Sequence, residues 1–143
     1  MKLIVGGDHA GYQLKEKFKL MAAEWGHEIV DVGPHSESSC DYPDFAHLVA
    51  QSVVAKKSDL GIVICGSGNG VNMVANKYAE IRSALCWEVE LAEMARSHND
   101  ANVLAVPARY IPEEKALDIF RTFLNTPFEG GRHANRVNKI ACA

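Results

Sequence analysis

Leu60-Gly61-Ile62-Val63-Ile64-Cys65 runs directly into Gly66-Ser67-Gly68-Asn69-Gly70. The first six residues are almost unbroken in their apolar character, as expected of a strand covered on both faces. The next five hold three glycines, and the pattern that follows predicts a helix through about Tyr78. A buried strand, a glycine turn and a helix make one unit of an α/β fold.

The same alternation extends both ways from this segment. Leu3-Ile4-Val5 reads as a first strand. Residues 11–25 place Leu14, Phe18, Met21 and Trp25 on one helical face, with Lys15, Glu16, Lys19 and Glu24 outside it. Gly26 stops that helix. Glu28 to Val32 reads as a second strand closed by Gly33-Pro34, and Ser36 to Asp41 as a polar loop. Pro43 suits the first turn of a helix carrying Phe45, Leu48, Val49 and Val53. Beyond the glycine loop, Arg82–Cys86 reads as a strand and Glu88–Ser97 as a helix with Leu91, Met94 and Ala95 inward. Asn102–Val106 is a further strand and Pro112–Leu124 a further helix. Residues 132–140 read as a short basic helix or arm.

Strand and helix thus alternate five times. The expected architecture is a three-layer, Rossmann-like (flavodoxin-like) α/β fold: a five-stranded parallel sheet flanked by helices, in a single domain over residues 1–143. The expected strand order is 2-1-3-4-5.

Composition narrows the function. Hydrophobic residues make up 48% and charged residues 23% of the 143 residues, which excludes a disordered chain. The net charge of −3 does not suit a nucleic-acid surface. No apolar run approaches the roughly 18 residues of a membrane span, and the apolar start is too short for a signal peptide. Cys40, Cys65, Cys86 and Cys142 form no paired metal motif, and the histidines show no metal-ligand spacing. The expectation is a cytoplasmic protein with reduced thiols and no metal.

In a sheet of order 2-1-3-4-5, ligands bind beyond the strands' carboxyl ends, between strands one and three. The loops there are Gly7-Asp8-His9 and Cys65 to Gly70. Backbone N–H groups of the glycine loop can converge on a phosphate or an oxyanion. It is neither a Walker loop nor a dinucleotide fingerprint, and its plain structural reading is a tight turn. Cys65 could be an inert core thiol, but beside a helix N-terminus its thiolate is stabilised and can take a proton. His98-Asn99-Asp100, taken alone, reads as a helix end and turn. His27, His35 and His47 have no convergent partners. Arg132 and Arg136 are four apart, on one face of a helical tail, and with His133 and Lys139 form a cationic patch. Arg109 adds a cation after the fifth strand. A guanidinium fork grips a phosphate monoester.

Six segments, in order, carry a resemblance. They are Gly7-Asp8-His9-Ala10-Gly11, Asp41-Tyr42-Pro43, Cys65 to Gly70, Ala75-Asn76-Lys77 with Ile81-Arg82, Arg96 to Asn102, and Glu129-Gly130-Gly131-Arg132-His133. Together they resemble the ribose-5-phosphate isomerase B family, which also holds the galactose-6-phosphate isomerase subunits. The resemblance implies a cofactor-independent aldose–ketose isomerase. It would interconvert D-ribose 5-phosphate and D-ribulose 5-phosphate through an enediolate, in the non-oxidative branch of the pentose phosphate pathway. By position, Cys65 would be the base. His98 would assist ring opening, with Asp8 and Tyr42 nearby. Ser67 would bond the O1/O2 edge, and Gly66, Gly68, Asn69, Gly70 and Asn99 would hold the enediolate. His9, Arg109, Arg132 and Arg136 would bind phosphate. Some members of the family carry a glutamate after the glycine loop as base and lack the cysteine. Here Val71 follows, and Cys65 is present.

Topology adds an expectation of its own. Cys65 ends a strand, whereas His98 precedes a parallel one and so sits at the sheet's opposite edge. A strand of five residues spans about 17 Å. If both act, His98 comes from a second subunit, giving a homodimer with shared sites or a tetramer built from such dimers. Two other functions fit the fold: a hexose-6-phosphate isomerase acting on allose or galactose phosphate, and a non-catalytic nucleotide- or flavin-binding module.

Overall fold

The computed structural model describes residues 1–142. The strands are β1 (Lys2–Gly7), β2 (Glu28–Asp31), β3 (Leu60–Cys65), β4 (Ser83–Leu85) and β5 (Val103–Pro107). The helices are α1 (Tyr12–Glu24), α2 (Tyr42–Val54), α3 (Asn69–Ala75), α4 (Val89–Asn99), α5 (Glu113–Asn125) and α6 (Arg132–Val137). All strand pairs are parallel. No helix among the described residues is long and apolar enough to cross a membrane.

The sheet order is β2-β1-β3-β5-β4, which corrects the expected order by exchanging the last two strands. Burial explains the exchange. The five residues of β5 are all buried, whereas the three residues of β4 are only partly so. The more apolar strand takes the inner place beside β3, and Ser83-Ala84-Leu85 becomes an edge. The reversal of winding between β1 and β3, where a ligand is expected, is unaffected.

Alternate residues of each strand face opposite layers. Leu3, Val5, Ile62, Ile64, Leu104 and Val106 pack on α1, α4 and α5. There the rings of Phe18 and Phe120 stack with centroids 4.4 Å apart. Ile4, Val63, Cys65, Val103 and Ala105 face α2 and α3. Cys65 therefore points to the layer that contains the glycine-loop helix.

Two side chains depart from the amphipathic reading. Met94 is 39% exposed, and the inward face of α4 is made by Ala92 and Ala95. Lys15, expected outside α1, is completely buried. Its ammonium lies 2.5 Å from an Asp31 oxygen at the end of β2, and Lys19 meets the same oxygen at 2.8 Å. Burial alone would raise the Asp31 carboxyl. Hydrogen bonds from Lys15, Lys19 and the Gly33 N–H outweigh it and hold that carboxyl below its ordinary value. A periodicity argument counts lysine as polar and cannot see an acid waiting on the neighbouring strand.

Candidate active site

Cys65 is the last residue of β3, and three residues later the backbone turns through Gly68 at φ +74° to start α3. Just before that turn the Gly68 N–H points at Cys65 Sγ, which accepts it at 3.2 Å. Only glycine fits here. A Cβ on Gly68 would lie 3.1 Å from the Pro107 nitrogen and 2.5 Å from Leu85 Cδ1. Ser67 Oγ accepts the Asn69 N–H at 3.2 Å, and Val71 is fully buried.

Four more segments reach this edge. Asp8 follows β1 and is nearly buried, and its Oδ1 accepts N–H groups of Ala10 and Gly11 at 2.9 and 3.2 Å. His9 Nδ1 accepts the Cys40 N–H at 3.3 Å, which ties the 33–41 loop to the end of β1. The Tyr42 ring lies over Gly70, whose missing side chain makes the room. After β5, the Arg109 N–H donates to the Gly66 carbonyl at 3.0 Å, and its side chain covers Gly66. A cavity of about 310 Å³ opens on the loop's outer side, lined by Ser67, Asn69, Leu85, Trp87, Pro107 and Tyr110. Asp8, His9, Tyr42, Cys65, Gly66, Ser67, Gly68, Asn69, Gly70 and Arg109 thus share the carboxyl edge of the sheet.

His98, Asn99, Arg132 and Arg136 do not. α4 runs to Asn99, and Asp100 turns the chain in the left-handed region at φ 47° toward the start of β5. This is the opposite edge. Arg82, just before β4, donates from Nε to the carbonyls of Asn99 and Asp100 at 3.1 and 3.0 Å. The Glu129 N–H donates to the Ser97 carbonyl at 3.0 Å, docking the approach to α6 on the end of α4. The rings of His98 and His133 stack with centroids 4.1 Å apart. Glu129 Oε2 stands 3.4 Å from His133 Nε2 and 3.9 Å from His98 Nε2. Burial, and after it His98, Arg132 and Arg136, hold the His133 imidazole below its ordinary value, with Glu129 opposing.

The His98–Glu129–His133 cluster is absent from the sequence reading. Glu129 and His133 are four apart, a spacing that could have drawn notice, but His98 is joined to them only by the fold. The other cysteines stand apart from the loop chemistry. Burial pushes the Cys86 thiol up to about 12, and Cys142 is exposed in the tail.

The sequence and the fold recur in known proteins. A family model described as Ribose/Galactose Isomerase matches residues 3–140. Ribose-5-phosphate isomerase B of Escherichia coli is 42% identical over 139 residues, covering 97% of this chain and 93% of its own length. The crystal structure of a ribose 5-phosphate isomerase from Thermotoga maritima is 48% identical. It superposes with a TM-score of 0.95 over 98% of this chain and 97% of the other. Ribose-5-phosphate isomerase B from Mycoplasma genitalium, solved with bound ribulose-5-phosphate, is 40% identical at a TM-score of 0.93, over 97% and 93% of the two chains. With sequence and fold matched over nearly the whole length, the chain belongs to the ribose/galactose isomerase family and is a sugar phosphate isomerase.

Proposed function

We propose that the protein interconverts D-ribose 5-phosphate and D-ribulose 5-phosphate, with Cys65 as the base. The observation that carries this reading is the bond between the Gly68 N–H and Cys65 Sγ, 3.2 Å long. It fixes the sulfur at the mouth of the glycine loop, beside the backbone donors that follow it. Val71 occupies the place where a carboxylate base would stand, and valine takes no proton.

A hydrogen next to a carbonyl is weakly acidic, so the base needs help. Cys65 takes the proton from C2 of the open aldose and returns it to C1, while the hydroxyl proton passes from O2 to O1 along the edge bonded by Ser67. Between these steps the negative charge on the enediolate oxygens is met by donors already in place. The Ser67 hydroxyl supplies them, with the N–H groups of the Gly66–Gly70 loop other than those of Gly68 and Asn69, which bond Cys65 Sγ and Ser67 Oγ. His9, Arg109, Arg132 and Arg136 hold the phosphate, and its binding energy orients the reacting carbons.

Two groups of residues on opposite edges need a second copy of the chain. We infer a two-fold homodimer in which His98, Asn99, Arg132 and Arg136 of the partner subunit complete each site. β5 alone, five residues long, separates the edges by about 17 Å.

A coupled isomerase assay on ribose, allose and galactose phosphates tests this. Wild type turns over ribose 5-phosphate fastest, and Cys65→Ala loses turnover while still binding sugar phosphate. Faster turnover of a hexose 6-phosphate replaces the pentose assignment. Undiminished turnover in the variant removes Cys65 from the mechanism.

A further inference from the structure

We propose that His98, Glu129 and His133 form a binding site for a divalent transition-metal ion, zinc above all, and that an ion held there silences the isomerase by occupying the His98 ring nitrogen. The silencing half rests on the role given to His98 above. The binding half rests on geometry alone.

Among the described residues, this is the one group of three His, Cys, Asp or Glu side chains whose ligand atoms all lie within 4.8 Å of one another. Zinc bonds of about 2.0–2.1 Å at tetrahedral angles set ligand atoms about 3.4 Å apart. His133 Nε2 and Glu129 Oε2 already stand at 3.4 Å, and His98 Nε2 is 3.9 Å from the same oxygen. Two imidazoles and one carboxylate, with a fourth position left open, make a known zinc-binding set.

The frame behind these ligands is held. Glu129 N–H bonds the Ser97 carbonyl at 3.0 Å, and Arg96 Nε bonds the Thr126 carbonyl at 3.3 Å. The His133 N–H bonds the Gly130 carbonyl at 3.1 Å. The adjustment needed falls on side chains that can move. Glu129 is 59% exposed, and His98, 35% exposed, can rotate out of its stack on His133 to aim its nitrogen at the ion. Losing that stack, and the repulsion of the exposed Arg132 and Arg136, keep the affinity below that of a structural zinc site. Water and salt screen those exposed charges. Imidazole ligands favour zinc, cobalt and nickel over magnesium or calcium, which prefer all-oxygen sites.

The test is titration of the full-length protein with Co²⁺, read by the visible absorption of tetrahedral cobalt, and with Zn²⁺ by calorimetry. One ion per chain is expected, with no competition from Mg²⁺. Glu129→Gln and His133→Gln each remove a direct ligand. Each should weaken binding at least about tenfold, the low end of what even an indirect partner costs. Zn²⁺ should also inhibit the wild-type enzyme reversibly, with activity restored by a chelator and a higher zinc requirement in Glu129→Gln. Unchanged binding in the two ligand variants overturns the site. Binding in the expected pattern with undisturbed turnover overturns the silencing. A protein inactive on every sugar phosphate would sink the isomerase assignment instead, and the cobalt titration would still decide the site.

Discussion

Gly68 donates its backbone N–H to the sulfur of Cys65 across 3.2 Å, and its own φ of +74° then turns the chain into α3. The thiol and the Gly68 amide of the loop are thereby one unit. Cys65→Ala should lower kcat by at least about a hundredfold, the lower end of what a positioned base contributes. Binding of a sugar phosphate, read by calorimetry, should persist. Gly68→Ala should lose activity with the sulfur still present. It also loses stability, since a left-handed alanine costs about 1–2 kcal/mol before any clash with Leu85 and Pro107. A Gly68→Ala protein of normal activity would show that this amide is not part of the machinery.

Tyr42 and Gly70 form a second such pair. A Cβ at Gly70 would sit 2.7 and 2.8 Å from two ring carbons of Tyr42. Gly70→Ala therefore pushes the ring aside, at an overpacking cost of about 1–3 kcal/mol. Adding Tyr42→Ala removes the clash, so the double variant should recover melting temperature relative to Gly70→Ala. Additive losses in the double variant would place the strain elsewhere.

The fold and the place of the glycine loop in it were legible because they are local. Leu60 to Gly70 announces a buried strand, a turn and a helix start within eleven residues, and the strand observed is Leu60–Cys65. Strand order was not local. It depends on whether β4 or β5 buries better beside β3, a competition between segments some twenty residues apart. Lys15 was misread for the same reason, since it lies on α1 and its partner Asp31 ends β2. The His98–Glu129–His133 cluster joins three positions across the end of α4, the following loop and α6. The separation of Cys65 from His98 was readable in advance, because strand direction alone decides which edge each one occupies.

The Lys15–Asp31 pair makes a stability prediction with a definite sign. The Asp31 carboxyl is held below its ordinary value of 3.8 in the fold, so the unfolded chain takes up its proton first as pH falls. Its contribution is complete above about pH 3.8 and fades as pH drops through the lowered folded value. Lys19 is raised above 10.5 by the same carboxylate, and its share is lost only as pH rises through that higher value. At neutral pH the cluster is whole. Asp31→Asn leaves the Lys15 ammonium buried, with only Glu16 opposite it, and should cost about 3–5 kcal/mol there. Lys15→Met should cost less, because Lys19 still answers Asp31. Thermal melts from pH 3 to 8 check both. The Asp31→Asn protein should also lose part of the wild-type acid slope, and an unchanged slope would mean the pair is not what acid disrupts.

Sharing of sites between subunits has a test that no single variant provides. Cys65→Ala destroys the carboxyl-edge half of a site, and His98→Asn destroys the other half. Each variant alone should be inactive on cyclic ribose 5-phosphate. In a mixed dimer, one site collects both lesions and the other collects neither. Unfolding an equimolar mixture and refolding it makes half of the dimers mixed, so about one quarter of wild-type activity should return. The recovered activity should fall when one variant is in excess, following the fraction of mixed dimers. No recovery, with mixed dimers demonstrated by mass spectrometry, would mean that Cys65 and His98 do not meet across a subunit boundary. His98 would then leave the mechanism, because strand direction already keeps it from Cys65 within one chain.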